Sequence, residues 1–222
     1  MNWTKCLLVL LFALMAGCGA PANRNSGGNA NSAATAGASL SDNDRAAAME
    51  GLLKAVGAQM DVKSFRARFD ANTGGVEMAS NLEYVAPDRY HMKGEEGEVI
   101  LIGNTAWSRQ SDGTWQKEPV DADQMVGSVR NPKMIDEIRK NAIITSAGPD
   151  TLDGKPMTIY EYTMRTPESA EMTIKGKAWI SSADNLPHRM ESESNSRGQT
   201  MKMTITYFDY NADIKLQPPK QR

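Results

Sequence analysis

The chain has 222 residues, with 25 Lys and Arg against 27 Asp and Glu, for a formal net charge of −2. A balance this close to neutral, with no basic cluster, excludes a phosphate-tracking nucleic-acid binder. Its two cysteines, Cys6 and Cys18, both precede the folded part, which must therefore be held by its core without a disulfide.

In chain order the first element is an export signal over residues 1–17: Lys5, an uncharged run over 7–15, then Ala16-Gly17. The run is too short to span a hydrocarbon core, which needs about 20 apolar residues. Leu14-Met15-Ala16-Gly17-Cys18 resembles a bacterial lipobox, in which the cysteine is acylated (with palmitate-like chains) and the signal is cut ahead of it. Met15 stands where Leu is commonest. The competing reading is an ordinary signal cut near Ala20. Residues 18–40 then comprise the acylated Cys18 and a stretch of Gly, Ala, Asn, Ser and Pro that cannot bury enough apolar surface to fold. Such a tether has a mean reach of roughly 25 Å. Gly19, rather than Asp, follows the cysteine, and that points to an outer-membrane anchor facing the periplasm.

A single domain is expected over residues 41–222. Ser41-Asp42-Asn43-Asp44 caps a helix over 42–59, and Met49, Leu52, Leu53, Val56 and Met60 keep helical spacing behind it. The period then changes to two. Phe65, Ala67 and Phe69 alternate with Arg66 and Arg68, and Val76, Met78, Leu82 and Tyr84 with Glu77, Asn81 and Glu83. Tyr90 and Met92 flank His91, and residues 99–102 form a short apolar run. Turns at Gly103-Asn104 and Ser111-Asp112-Gly113 set off strands at Trp107 and Trp115. Between 121 and 142 the alternation stops, and Met125, Val126, Met134, Ile135 and Ile138 suggest two short helices. Strands resume at Ile143-Ile144. They continue through Tyr160, Tyr162 and Met164, then Met172, Ile174, Ala178 and Ile180, then 187–193, and finally Met201, Met203, Ile205 and Tyr207. About eleven strands joined by short turns make an antiparallel sheet with one apolar face to cover.

The order of one helix, six strands, a helical insertion and five strands resembles the LolA/LolB lipoprotein-localisation superfamily, which includes the LppX/LprG-type lipid-anchored carriers. The residues that carry the resemblance are Tyr84-Val85-Ala86-Pro87-Asp88-Arg89-Tyr90, Ile102-Gly103-Asn104-Thr105, Asp153-Gly154-Lys155-Pro156, Tyr160-Glu161-Tyr162 and Asn211-Ala212-Asp213-Ile214. The resemblance implies an α+β, mainly β fold: a strongly curved antiparallel half-barrel, its concave face covered by helices, with acyl chains entering between helix and sheet. It implies no cofactor and no bond-breaking chemistry. The soluble members diffuse freely, whereas this chain carries a lipobox.

The strand and helix patterns supply the lining for such a cavity: Leu52, Leu53, Val56, Phe65, Phe69, Met78, Leu82, Tyr90, Met92, Tyr160, Tyr162, Met172, Ile174, Met201, Met203 and Ile205. Fourteen Met against four Phe suit a lining that repacks around variable chains, although Met also serves as core filler. Burying a chain of sixteen carbons yields up to about 0.8 kcal/mol per CH₂ before ordering costs. His91 and His188 lack partners at metal or triad spacing. Glu95-Glu96-Gly97-Glu98 lacks the alternating ligands of a calcium loop and reads as a hairpin tip with solvated charge. Trp107, Trp115 and Trp179 close the end of a core or dock at a lipid interface. The expectation is a non-enzymatic, monomeric, membrane-anchored lipoprotein that binds acyl chains of a lipid or lipoprotein. The alternative is an envelope scaffold with a closed core that binds a protein.

Overall fold

The computed structural model describes residues 40–122, 133–165, 173–196 and 198–220. The signal, Cys18, the tether, the helix expected at Met125-Val126, and Met172 lie outside them.

The first helix, α1, is Asp42–Met60. Ser41 caps it, its hydroxyl accepting the Asp44 amide at 3.2 Å, and Asp42 and Asp44 sit favourably at the positive end of the helix dipole. Its first half is largely exposed, whereas Leu52, Leu53, Ala55, Val56 and Gln59 in the second half are buried. Six strands follow: β1 (Ser64–Thr73), β2 (Val76–Val85), β3 (Arg89–Gly94), β4 (Gly97–Ile102), β5 (Thr105–Arg109) and β6 (Trp115–Pro119). After α2 (Lys133–Asn141) come β7 (Ala142–Leu152), β8 (Lys155–Arg165), β9 (Thr173–Ser181), β10 (Pro187–Ser196) and β11 (Gln199–Phe208). The turns at Gly103-Asn104 and Asp153-Gly154 fall where the sequence puts them, with Gly103, Asp153 and Gly154 all at positive φ.

All eleven strands form one sheet in the order β6-β5-β4-β3-β2-β1-β11-β10-β9-β8-β7, every pair antiparallel. Every neighbour but one is consecutive in sequence; the β1–β11 ladder joins the two halves. The sheet is not the expected half-barrel. The sheet is open, with β6 and β7 as its two edges, and it is neither closed nor strongly curved. Strong curvature needs bulges or kinks repeated across a sheet. Register shifts occur at two places only, between Ile144 and Ser146 and between Pro187 and Arg189, while the ladders from β1 to β6 run unbroken.

One face, here the inner face, carries the core. At its root, where α1 leads into β1, Val62, Phe65, Leu82, Tyr84, Tyr90, Leu101, Leu186 and Tyr207 form one buried cluster. Its aromatic rings lie close, with Phe65–Tyr84 centroids at 5.1 Å and Tyr84–Tyr90 at 5.0 Å. Leu52, Ala55 and Val56 of α1 bury Ile144, Ala178 and Ile180, with Met134, Ile135 and Ile138 of α2 packed around them. A third small cluster, Ile100, Trp107 and Leu216, lies on the opposite, outer face, where the C-terminal tail crosses and Arg89 donates to the Leu216 carbonyl at 2.9 Å.

Candidate functional site

Strand register decides which side chains share a face, because successive residues point to opposite sides. Nearest the tip (the end of the β1–β2 and β3–β4 turns), one row of the inner face reads Met164, Ile174, Ser194, Met201, Thr73, Val76 across β8, β9, β10, β11, β1 and β2. The next row is Tyr162, Gly176, Ser192, Met203, Ala71, Met78. The third is Tyr160, Ala178, Met190, Ile205, Phe69, Ser80. Leu82, Met92 and Val99 lie rootward on β2, β3 and β4. The register therefore brings every described strand residue of the predicted lining to one face.

Burial divides that set in two. Leu52, Leu53, Val56, Phe65, Leu82 and Tyr90 are buried and form ordinary core. Phe69, Met78, Met92, Tyr160, Tyr162, Ile174, Met201, Met203 and Ile205 are only half-buried, and Val76 beside them is 62% exposed. An apolar field thus remains partly uncovered toward the tip. Every Lys and Arg on the strands alternates onto the outer face, and Glu118 on the edge strand β6 is the acidic side chain that faces inward.

Two tyrosines stand where the covered and uncovered parts meet. The Tyr160 hydroxyl reaches under α1, so that a Cβ added to Gly51 would lie 2.5 Å from it. The Tyr162 ring covers its cross-strand partner Gly176, where any added side-chain carbon would overlap it. Burial pushes both phenols above their ordinary range. Deeper in, burial holds Tyr207 up to about 12, a hydrogen bond from Gln59 offsetting only part of that rise. Burial raises Tyr210 too, whose hydroxyl donates to the Pro187 carbonyl at 2.5 Å.

The outer face holds what sequence reading missed. His91 stands on this strand face between two carboxylates: its Nδ1 lies 3.2 Å from Glu83 and its Nε2 2.9 Å from Glu98. Arg66 closes on Glu83 at 2.8 Å and on Asp209 at 2.7 Å, and Arg109 closes on Glu98 at 2.9 Å. Glu98, expected as solvated hairpin charge, has a side chain only 13% exposed. Burial pushes both carboxyls up, but the hydrogen bonds from Arg66 and His91 to Glu83, and from Arg109 and His91 to Glu98, more than reverse this and leave both below the usual range. The network runs across five neighbouring strands, β1 to β5, so no local spacing announces it.

A polar cavity of about 510 Å³ lies on the outer face of β7 to β11, with Glu161, Lys175, Lys177, Glu191, Glu193 and Lys202 on its walls. Its charges are largely spent on one another, Lys177–Glu161 at 2.6 Å and Lys202–Glu193 at 3.4 Å. Trp179 half-covers the sheet beside it, donating to Asp150 at 2.8 Å under the Arg189 guanidinium. Trp107 is buried, as a residue closing a core end should be, but on the outer face. Among the described residues no cluster of three His, Cys, Asp or Glu could hold a metal, and no helix is long and apolar enough to cross a membrane.

Among solved structures, the Mycobacterium tuberculosis lipoprotein LppX matches 80% of this chain and 100% of its own, with a TM-score of 0.54 at 12% identity. LprF from Mycobacterium bovis matches 78% of this chain and 97% of its own, with a TM-score of 0.51 at 12% identity. This chain shares the LppX fold. The agreement covers most of the described residues and, at such identity, concerns backbone architecture alone. MucB from Pseudomonas aeruginosa, solved with MucA, also matches, with 78% of this chain aligned to 61% of that one at 14% identity and a TM-score of 0.49. No family model matches the chain, and no curated protein sequence does.

Proposed function

We propose that this protein is a non-enzymatic envelope lipoprotein, anchored through Cys18, that binds acyl chains of a lipid or lipoprotein between α1 and the inner sheet face. The observation that carries this reading is the distribution of polarity. The inner face bears no strand Lys or Arg, yet toward the tip its Met, Phe and Ile side chains remain half-exposed beyond the reach of the buried half of α1. A core finished for its own sake would cover such a field, since apolar area left in water forgoes roughly 25 cal/mol per Å². Met78, Met92, Met201 and Met203 supply an adaptable surface for flexible chains. The LppX fold supports the same placement, and the lipobox-like sequence at Cys18 would hold the domain within roughly 25 Å of its membrane.

The test uses the full chain with Cys18→Ser, so that no bound lipid is its own anchor, purified from a bacterial host for native mass spectrometry. Added mass that disappears on solvent extraction is the expected result. A clean protein mass, together with no uptake of a fluorescent fatty acid, would turn the reading toward a scaffold with a closed core. As a second readout, Leu53→Trp in α1 should lower lipid uptake by more than its effect on melting temperature accounts for.

A further inference from the structure

The inner face contains a trough. Between β8 and β11 the small residues of β9 and β10 form a diagonal path, Ser194, then Ser192 with Gly176, then Ala178, beside which Ile174 and Met190 are the large residues of the outer two rows. Larger side chains stand on both banks, Tyr162 and Tyr160 on β8, Met203 and Ile205 on β11. At the root the trough is roofed, because Ala178 lies under Leu52, Ala55 and Val56 of α1 and the Tyr160 hydroxyl meets that helix at Gly51. At the tip Met164, Ile174, Met201 and Thr73 are only half-buried, although Ser194 on the floor between them is buried. Into this trough, on Gly176, the Tyr162 ring is laid.

We infer that Tyr162 is the stop that sets how deep an acyl chain can lie in the trough, and so selects chain length; this rests on the acyl-chain reading above. A chain entering from the tip passes the row of Met164, Ile174 and Met201 and then meets the ring. Each row is ~7 Å deep, two residues along a strand. Taking the ring off its seat adds one row before Ala178 and the helix close the path. Contact with the bare backbone of Gly176 seats the ring in the trough. An aromatic ring over a cross-strand glycine also shields backbone and steadies a sheet, and a purely structural ring would give stability without length selection.

The experiment separates the two. Wild type, Tyr162→Ala, Tyr162→Phe and Gly176→Ala, each in the full chain with Cys18→Ser, compete for an equimolar series of saturated fatty acids from twelve to twenty carbons, read by native mass spectrometry. Thermal melts run alongside. Tyr162→Ala should move the preferred length upward by up to about five carbons, the extended chain that fits the ~7 Å depth of one row. Tyr162→Phe should keep the wild-type preference. Gly176→Ala should move it downward, because a ring lifted off the floor stands in the path. An unchanged order of preference in Tyr162→Ala, whatever its melting temperature, overturns the inference while leaving acyl binding intact. Wild type that takes up no fatty acid of any length overturns the acyl-chain reading and this one with it.

Discussion

Tyr207 shows what a single buried phenol does to this domain. Its folded pKa is pushed up to about 12, whereas an unfolded phenol ionises near 10. Between those values the folded state holds a proton the unfolded chain gives up, so stability falls as pH rises through that window, by on the order of 2–3 kcal/mol in all. Tyr207→Phe should flatten the alkaline limb of a pH-dependent melting curve; a limb of unchanged slope would place the effect elsewhere. Glu83 and Glu98 act at the other end. Both carboxyls are held below their usual range, so their contribution is complete above it and is lost as pH falls through the depressed folded values. Glu98→Gln should make acid unfolding shallower, read by circular dichroism between neutral pH and pH 2. The sequence displayed the alternation that puts Glu83, His91 and Glu98 on the polar side. It did not display that they meet, because their contact depends on the relative register of three strands, which no strand encodes by itself.

At the scale of the element, α1 was the most legible part of the chain. Leu52 and Val56 repeat at helical spacing, and Ser41 with Asp44 forms a cap within four residues, so both signals are local. Removing the cap with Ser41→Ala should cost about 1 kcal/mol, and Ser41→Gly only a few tenths. Leu52→Ala, at 2% exposure under the second core cluster, should cost about 2–5 kcal/mol in denaturant unfolding. The contrast between the two sites checks that the helix is held by packing more than by its end. Less legible was how far α1 reaches. Met49 and Met60 share the spacing of Leu52 yet stay half-buried, because what covers a helical residue is set by the sheet beneath it. The strand lining followed from period two, and the register confirms a common face. The division of that face into filled core and open field needed the position of the helix.

For the whole molecule, strand number and order could be counted from turns and alternation, but curvature could not. It came from the resemblance, and the open sheet corrects it: bending depends on bulges and register shifts that leave almost no trace in composition. Cys18→Ser should move the protein from the membrane pellet to the soluble fraction of fractionated cells, and retention in the pellet would point to another attachment. The two edges of the sheet carry their own defences against pairing with a neighbour, Lys117 and Pro119 on β6, a register shift and Pro149 on β7.

The segregation of lysine and arginine onto one side of eleven strands has a consequence for how the chain finds its native pairing. A slip of one residue in a ladder would turn a whole strand over and, on strands such as β1, β9 and β11, drive its cations against Tyr, Met and Ile. Misaligned hairpins are thus penalised as they form, so assembly carries its own proofreading, strand by strand, in a domain with no disulfide to fix an error or to hide one.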